Sequence, residues 1–136
     1  MSTKQTDKQK VNVIDILIAL LIVGILVSVA IPLFQADVKR KIVSEADATL
    51  AAIRTSLRIY YAEHGSYPVV GNYVAVTKLD INTQSLDLDG KYFPASAYTY
   101  QSSDGVYYTI RVIGEGKAAG INRQITQLGV LSEFKQ

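Results

Sequence analysis

The stretch that decides the fold is residues 11–34, VNVIDILIALLIVGILVSVAIPLF, near the start of a chain of 136 residues. From Ile16 to Ala36 there are 21 consecutive residues without a charge. At about 1.5 Å per residue, a helix of this length spans about 30 Å, which is the thickness of the hydrocarbon core of a bilayer. Residues 11–34 are therefore predicted to form a membrane-spanning helix.

One acidic residue, Asp15, lies near the start of this apolar stretch, and the next charged residue along the chain is Asp37. A carboxylate inside the hydrocarbon region costs a few kcal/mol, so such a residue usually has a partner of opposite charge. The alternative is that Asp15 lies at the water interface of an ordinary membrane anchor and pairs with nothing. Asp15 is therefore the first candidate site residue.

The chain has a basic leader and a neutral remainder. Residues 1–10 hold three lysines against one aspartate, which accounts for the whole net charge of +2. Nucleic-acid-binding domains carry a basic patch on their folded part, so no nucleic-acid partner is expected. The leader favours an N-terminus that stays in the cytoplasm, although the three basic residues at 39–41 make this charge bias small.

The side chains that most enzymes use are scarce. The chain has no cysteine and one histidine, His64, so the usual nucleophile and metal-ligand sets are missing from the sequence. Asp87 and Asp89 give part of a calcium-loop pattern, but Lys91 stands at the next ligand position. We therefore expect no enzyme activity, no catalytic residue, no cofactor and no metal site.

A second helical pattern follows the apolar stretch without a break. Within residues 35–64, apolar residues from Val38 to Tyr60 recur at an average spacing of about 3.67 residues, with charged residues between them. Gly65 and Pro68 then predict that the helix ends at residue 64, because glycine is the usual C-terminal cap and proline cannot continue a helix. Residues 35–64 are therefore predicted to form an amphipathic helix.

Two residues inside the long helical pattern have special backbone properties. Pro32 removes a backbone N–H donor and is expected to kink the helix. Gly24 lies at the middle of the apolar stretch, where a small residue permits close contact between neighbouring helices. Gly24 and Pro32 are therefore candidate packing and kink positions.

The C-terminal half shows strand patterns. Residues 65–95 have weak periodicity and are predicted to form a loop, and an antiparallel sheet is predicted over 96–131. Asp104-Gly105 indicates a hairpin, and a two-residue loop is favoured there because it leaves Arg111 outside the core. That loop places Tyr98, Tyr100, Thr109 and Arg111 on one face, and Val106, Tyr108, Ile110 and Val112 on the other. A three-residue loop would place the tyrosines with the aliphatic residues instead. One more strand is expected within NRQITQLGVL (122–131).

Together these patterns predict an α+β fold, in which a long N-terminal helix packs on a small antiparallel sheet. The 71 residues from Ser66 onward would make a thin core alone, so the sheet needs the apolar face of the amphipathic helix. The predicted division of the chain is a leader (1–10), a transmembrane or filament-core helix (11–34) and a globular region (35–136).

The segment IDILIALLIVGILVSVAIPLF (14–34), its amphipathic extension and IYYAEHGSYP (59–68) together resemble the bacterial type IV pilins and type II secretion pseudopilins. The family motif is a cleaved leader, an aromatic first mature residue, and an apolar helix with one glutamate near its start, a glycine at midspan and Ile-Pro near its end. In this register Val11 takes the first mature position, Asp15 the glutamate, Gly24 the glycine and Ile31-Pro32 the kink.

The resemblance implies a partner for Asp15. In the family, the glutamate meets the free α-amine of a neighbouring subunit, which sets the register between subunits. In the family, prepilin peptidase cuts after a glycine, and the new α-amine is then methylated. This chain has Lys10 in place of that glycine and Val11 in place of the usual phenylalanine. If Lys10 prevents cleavage, Lys10 or Lys8 of a neighbouring subunit would supply the cation instead.

The resemblance also implies a structural function and a set of partners. The chain would be a homo-oligomeric filament subunit, held in membrane lipid before assembly and inserted by an inner-membrane platform with an ATPase motor. It would lie in the bacterial inner membrane with its N-terminus in the cytoplasm, and then in a periplasmic or extracellular filament. Whether that filament is a surface pilus or a secretion pseudopilus is left open.

Two other interpretations of the same sequence remain. The chain could be a single-pass membrane-anchored binding domain that never polymerises. It could also be a small secreted protein, because a basic segment, an apolar segment and Ser28-Val29-Ala30 follow the order of a signal peptide. Asp15 and the helical periodicity beyond residue 30 argue against the signal peptide.

Overall fold

The computed structural model describes residues 10–83 and 86–136. The main elements are the helix α1 (Val13–His64) and the strands β1 (Val70–Ala75), β2 (Tyr98–Ser102), β3 (Thr109–Ile113), β4 (Asn122–Thr126) and β5 (Leu131–Glu133). Short 3-10 helices lie at Val76–Lys78, Ala95–Ala97 and Gly116–Ala118. The chain divides into two compact units, of which the first ends at Asp37 and the second, here called the head, is Val38–Gln136.

Helix α1 ends where the sequence predicted. Gly65 has a φ of +79°, which favours glycine, and its N–H donates to the carbonyl of Tyr61 at 2.8 Å. The predicted end of the helix at residue 64 is therefore confirmed. Pro32 lies inside α1, and the kink expected there stays a prediction.

The five strands form one antiparallel sheet, in which each strand pairs with the next along the chain. In the head, α1 packs on one face of this sheet. The buried core includes Ile42, Ala46, Leu50, Ile53 and Leu57 from α1, and Tyr98, Tyr100, Ile110, Val112 and Ile125 from the sheet. The helix residues follow helical spacing, and the strand residues alternate along each strand, so both sets face the same core. The predicted α+β fold is confirmed.

The favoured register of the hairpin is wrong. Tyr98 pairs with Val112 and Tyr100 with Ile110, and all four side chains are buried on the helix side of the sheet. The tyrosines therefore lie with the aliphatic residues, as the three-residue loop would have placed them. Arg111 lies on the outer face in either register, so its position could not distinguish the two.

The connection between β2 and β3 is longer than two residues because side chains fold it into a closed turn. The carboxylate of Asp104 accepts the N–H groups of Val106 and Tyr107, each at 2.9 Å. These two bonds lower the pKa of Asp104. The hydroxyl of Ser102 accepts the N–H of Gly105 at 3.1 Å and donates to the carbonyl of Tyr107 at 2.6 Å. The bonds made by Ser102 and Asp104 span the whole connection.

Two further expectations for the sheet are corrected. The loop predicted over 65–95 contains β1, whose exposed Gly71 and Asn72 and irregular pairing with β2 hide the alternation of a strand. The segment 122–131 was expected to supply one strand, but it contains β4 and the first residue of β5. These two strands are joined at Gly129, which has a φ of +83°.

The carboxylate of Glu45 in α1 binds the segment before β2. Oε1 of Glu45 accepts the N–H groups of Tyr92 and Phe93, at 2.9 and 3.1 Å. A Cβ atom at Gly90 would overlap the carboxylate of Glu45, so a larger residue there would displace this side chain from its present position. Phe93 is fully buried, so Glu45 positions a core side chain as well as two backbone groups.

An ion pair connects α1 to β4. Arg123 donates from Nε and Nη2 to the two carboxylate oxygens of Asp47, both at 2.8 Å. This bidentate pair raises the pKa of Arg123, with the hydrogen bond to Asp47 as the main cause. The pair lies at the margin of the core and fixes the position of β4 on the helix.

Candidate functional site

The main candidate site is the apolar surface of α1 before the head. Every Val, Ile, Leu and Phe side chain from Val11 to Phe34 is exposed, and the exposed fraction ranges from 48% at Val27 to 73% at Val13. Exposed apolar surface carries a free-energy cost of about 25 cal/mol per Å² relative to burial. This part of the helix is also long and apolar enough to cross a membrane. None of the described residues covers this surface, which suits contact with lipid or with other protein.

Asp15 has a local role that the sequence analysis missed. Asn12 precedes the helix, and its carbonyl accepts the N–H groups of Asp15 and Ile16 at 3.0 and 3.3 Å. In return, Oδ2 of Asp15 accepts the N–H of Asn12 at 3.3 Å. The bond from the Asn12 N–H to the Asp15 carboxylate is one half of a capping box, with aspartate in place of the usual glutamate. The Asp15 N–H is bonded to the backbone carbonyl of Asn12 and not to its side chain. The Asn-x-x-Asp spacing before an apolar run could have revealed the bond from Asn12 to the Asp15 carboxylate.

The other residues predicted near the leader junction are exposed. Lys10 and Val11 precede α1, and the structure shows no ion pair between Lys10 and Asp15 within the described segments. Lys8, the second candidate cation, lies outside the described residues. Among the described residues, the structure therefore brings Asp15 together with Asn12, and the pairing of Asp15 with a lysine stays a prediction.

Gly24 and Pro32 lie on the exposed part of α1. A Cβ atom built at Gly24 would meet no atom within 4 Å, so none of the described residues requires glycine there. Nearby, the hydroxyl of Ser28 donates to the carbonyl of Ile25 at 2.7 Å. That bond satisfies the polar group within the helix, which lowers the cost of placing Ser28 in an apolar environment.

The remaining candidates from the sequence have structural roles. Nδ1 of His64 lies 3.0 Å from the carbonyl of Tyr60, and the two rings stack with centroids 3.9 Å apart. Oδ1 of Asp89 accepts the N–H of Ala95 at 2.8 Å. Among residues 10–83 and 86–136, no group of three or more histidine, cysteine or acidic side chains could hold a metal ion.

Comparison with known proteins gives one relative to report. The chain is 34% identical over 81 residues to a protein named fimbrial protein from Neisseria meningitidis serogroup A / serotype 4A (strain DSM 15465 / Z2491). The aligned part is 60% of this chain and 44% of the relative, so the chain spans less than half of the relative's length. No family model matches the chain, and no solved structure matches it. The similarity to a fimbrial protein supports the resemblance to pilins that the sequence indicated.

Proposed function

We propose that the chain is the structural subunit of a type IV pilus-like or type II secretion pseudopilus filament, and that it is not an enzyme. The observation that carries this proposal is the exposure of every large apolar side chain between Val11 and Phe34. The partial similarity to a fimbrial protein supports it. In the proposed filament, these side chains pack against the same segment of other copies.

The proposed assembly follows from the need of residues 11–34 for apolar surroundings. In the membrane, lipid covers residues 11–34, and in the filament the apolar segments of other subunits replace that lipid. Because both environments are apolar, the exchange needs little free energy per residue and is decided by packing between helices. Gly24 supports this exchange, since the space around it is free for a neighbouring helix.

The register between subunits is proposed to depend on Asp15. A neighbouring subunit supplies the cation, which is the α-amine of Val11 if the leader is removed, or Lys10 or Lys8 if it is kept. Pairing two charges in an apolar bundle adds little net stability but penalises any alignment that leaves one charge alone. The hydrogen bond to Asn12 occupies one oxygen of Asp15 and leaves the other for this contact.

The proposed partners follow from a filament that grows from a membrane. They are other copies of the chain, membrane lipid before assembly, an inner-membrane platform with its ATPase motor, and a prepilin peptidase that would have to accept Lys10. The proposed location is the bacterial inner membrane, with the N-terminus in the cytoplasm, and afterwards the periplasm or the cell surface.

A second candidate function is a single-pass membrane anchor for a binding domain that does not polymerise. The hydrogen bond from the Asn12 N–H to Asp15 favours it, because this bond gives Asp15 a role that needs no second copy of the chain. An anchor also explains the exposed apolar surface, with lipid as its permanent cover. The two candidates therefore differ in whether Asp15 and Gly24 contact a second copy of the chain.

Three variants, expressed as the full chain with the bacterial assembly machinery, test the proposal. Asp15→Asn keeps a side-chain oxygen for Asn12 but removes the charge, Asp15→Ala removes both, and Asp80→Ala is an exposed acidic control in the head. We expect Asp80→Ala to form filaments in sheared cell material under the electron microscope, and both Asp15 variants to lose at least about tenfold in yield. A normal yield of filaments from Asp15→Asn would mean that assembly does not need the charge of Asp15, and that its role is limited to the start of the helix.

The same preparations address cleavage and the anchor. Mass spectrometry of the wild-type filament would give the mass of a chain that starts at Val11 if the α-amine is the partner of Asp15. It would give the mass of a chain with its full leader if a lysine is the partner. A membrane-bound wild-type chain that forms no filament beside its complete machinery would favour the anchor. Gly24→Leu sharpens this test, because it should leave membrane insertion intact and block close packing of helices.

A further inference from the structure

Arg111 occupies the centre of the outer face of the sheet, on the side away from α1. Its neighbours on the adjoining strands are Thr99 of β2 and Gln124 of β4. Nε of Arg111 donates to Oε1 of Gln124 at 3.2 Å. Cζ lies 4.4 Å from the ring centroid of Tyr73 and 4.8 Å from that of Phe134. Tyr73 belongs to β1 and Phe134 follows β5, so the rings approach the central Arg111 from opposite edges of the sheet.

A cavity of about 390 Å³ lies beside this guanidinium group. Its lining includes Ile113, which supplies an apolar wall, and Lys135, which supplies a second positive charge. No aspartate or glutamate side chain is among the described residues that line it. A second cavity of about 280 Å³ shares Thr99, Ile113 and Gln136 with the first, continues toward Tyr92, and has Glu115 in its lining. The outer face therefore holds a trough that has two basic residues, Arg111 and Lys135, at one end and an acidic residue, Glu115, in the lining of the other.

Arg123, in the same sheet, is an arginine whose charge is paired with a carboxylate. Its Nε and Nη2 both donate to the carboxylate of Asp47 at 2.8 Å. By contrast, the bond of Arg111 from Nε goes to the neutral amide of Gln124, and no acidic side chain borders its cavity. Since arginine prefers a carboxylate or phosphate that can accept two parallel N–H bonds, the Arg111 end of the trough fits an external anion.

We propose that this trough binds a small organic carboxylate, with the carboxylate on Arg111 and an apolar body over Ile113. The stacked rings and Gln124 hold the guanidinium in place, so little side-chain entropy is lost when the ligand binds. Lys135 adds attraction at the same end. A planar carboxylate matches the arginine fork, and the apolar wall favours a ligand with a hydrocarbon or aromatic part over a bare inorganic anion. The site lies within the head and goes beyond the proposed filament function, because it uses no residue of the apolar helix.

The test is a titration of the full chain in dodecyl maltoside micelles, followed by NMR of the Arg111 Nε–H and Gln124 side-chain amide signals. The probes are sodium benzoate, its neutral analogue benzamide and inorganic phosphate, with empty micelles as the blank. We expect saturable shifts with benzoate in the millimolar range, and binding at least about tenfold weaker for benzamide, which lacks the charge. Raising the salt concentration should weaken benzoate binding.

Variants assign the effect to individual residues. Arg111→Lys keeps a charge but loses the fork and should weaken benzoate binding by about tenfold, Lys135→Gln by about threefold, and the exposed control Lys117→Gln not at all. For the variants, the Gln124 amide signal and the melting temperature report binding and folding. Absence of saturable benzoate shifts, equal binding of benzamide, stronger binding of phosphate than of benzoate, or unchanged binding by Arg111→Lys would each overturn the proposal. If Arg111→Lys does not fold, the proposal is tested by Lys135→Gln and by the salt series. Benzoate binding that is weakened neither by Lys135→Gln nor by salt would also overturn the proposal.

Discussion

The two parts of α1 have the same secondary structure but opposite burial. Before Asp37, every Val, Ile, Leu and Phe side chain is exposed, whereas in the head Ile42, Leu50 and Leu57 are almost completely buried. The sequence differs in one respect that explains this. The first part is apolar all around its circumference, and the second is apolar on one side only. A helix that is apolar on all sides needs an apolar surrounding, whereas a helix with one apolar side needs a single sheet.

The largest expected effect comes from a matched pair of leucines in the two parts. Leu50 is fully buried and Leu21 is 65% exposed. Leu50→Ala should lower the free energy of unfolding of the head by about 2–5 kcal/mol, because it leaves a cavity in the core. Leu21→Ala should change it by less than about 0.5 kcal/mol. Urea unfolding in micelles, followed by tyrosine fluorescence, measures the head alone, because all nine tyrosines lie beyond residue 59. Equal effects of the two variants would mean that the apolar segment contributes to the stability of the head.

The division between the two parts of α1 was predictable from the sequence because it rests on periodicity. The uncharged run and the 3.67-residue spacing after it each predict one environment, and the helix end follows from Gly65. The register of the hairpin was not predictable, since it depends on side chains of Ser102 and Asp104 that close the turn. Strand β1 was missed for a related reason, because its pairing with β2 supplies the order that its own alternation does not.

For the candidate site, the sequence identified the apolar surface but not the local role of Asp15. The spacing of Asn12 and Asp15 indicates the observed bond at the start of the helix, whereas the apolar context of Asp15 favours pairing between subunits. The trough at Arg111 could not have been found, since Tyr73, Arg111 and Phe134 are far apart in sequence and meet only through the strand order. Contacts of this kind follow from tertiary packing and leave no local pattern.

A second comparison uses the acidic residues of the two parts. Glu45 accepts two backbone N–H groups from a distant segment, whereas Asp15 accepts one from its own helix start. Glu45→Ala should lower the stability of the head by about 1–3 kcal/mol, because it leaves two donors without an acceptor beside buried Phe93. Asp15→Ala should leave the unfolding of the head unchanged. Hydrogen exchange at the amides of Tyr92 and Phe93 gives a local readout. Unchanged protection there in Glu45→Ala would show that the segment is held by packing alone.

The smallest expected effect concerns alkaline pH, where the two parts differ because residues 16–36 contain no titratable side chain. In the head, burial raises the pKa of Tyr108 to about 12 from the ordinary 10.0, and its hydroxyl has no hydrogen-bond partner among the described residues. A raised pKa means that the folded state holds this proton more tightly than the unfolded state. The stabilisation is therefore complete below pH 10 and decreases as the pH rises toward 12.

Tyr108→Phe isolates that contribution. The variant removes the titrating hydroxyl and leaves no other polar group unpaired, so its stability at pH 8 should be close to that of the wild type. Between pH 9 and 11 the wild type should lose about 1 kcal/mol more than Tyr108→Phe, from the value of about 1.4 kcal/mol for each pKa unit. Urea unfolding at each pH, followed by circular dichroism, measures the difference. Parallel pH profiles for the two proteins would mean that the hydroxyl of Tyr108 reaches water in the folded head. The alkaline loss would then have to come from other buried tyrosines, such as Tyr98 and Tyr100, whose pKa values are also raised by burial.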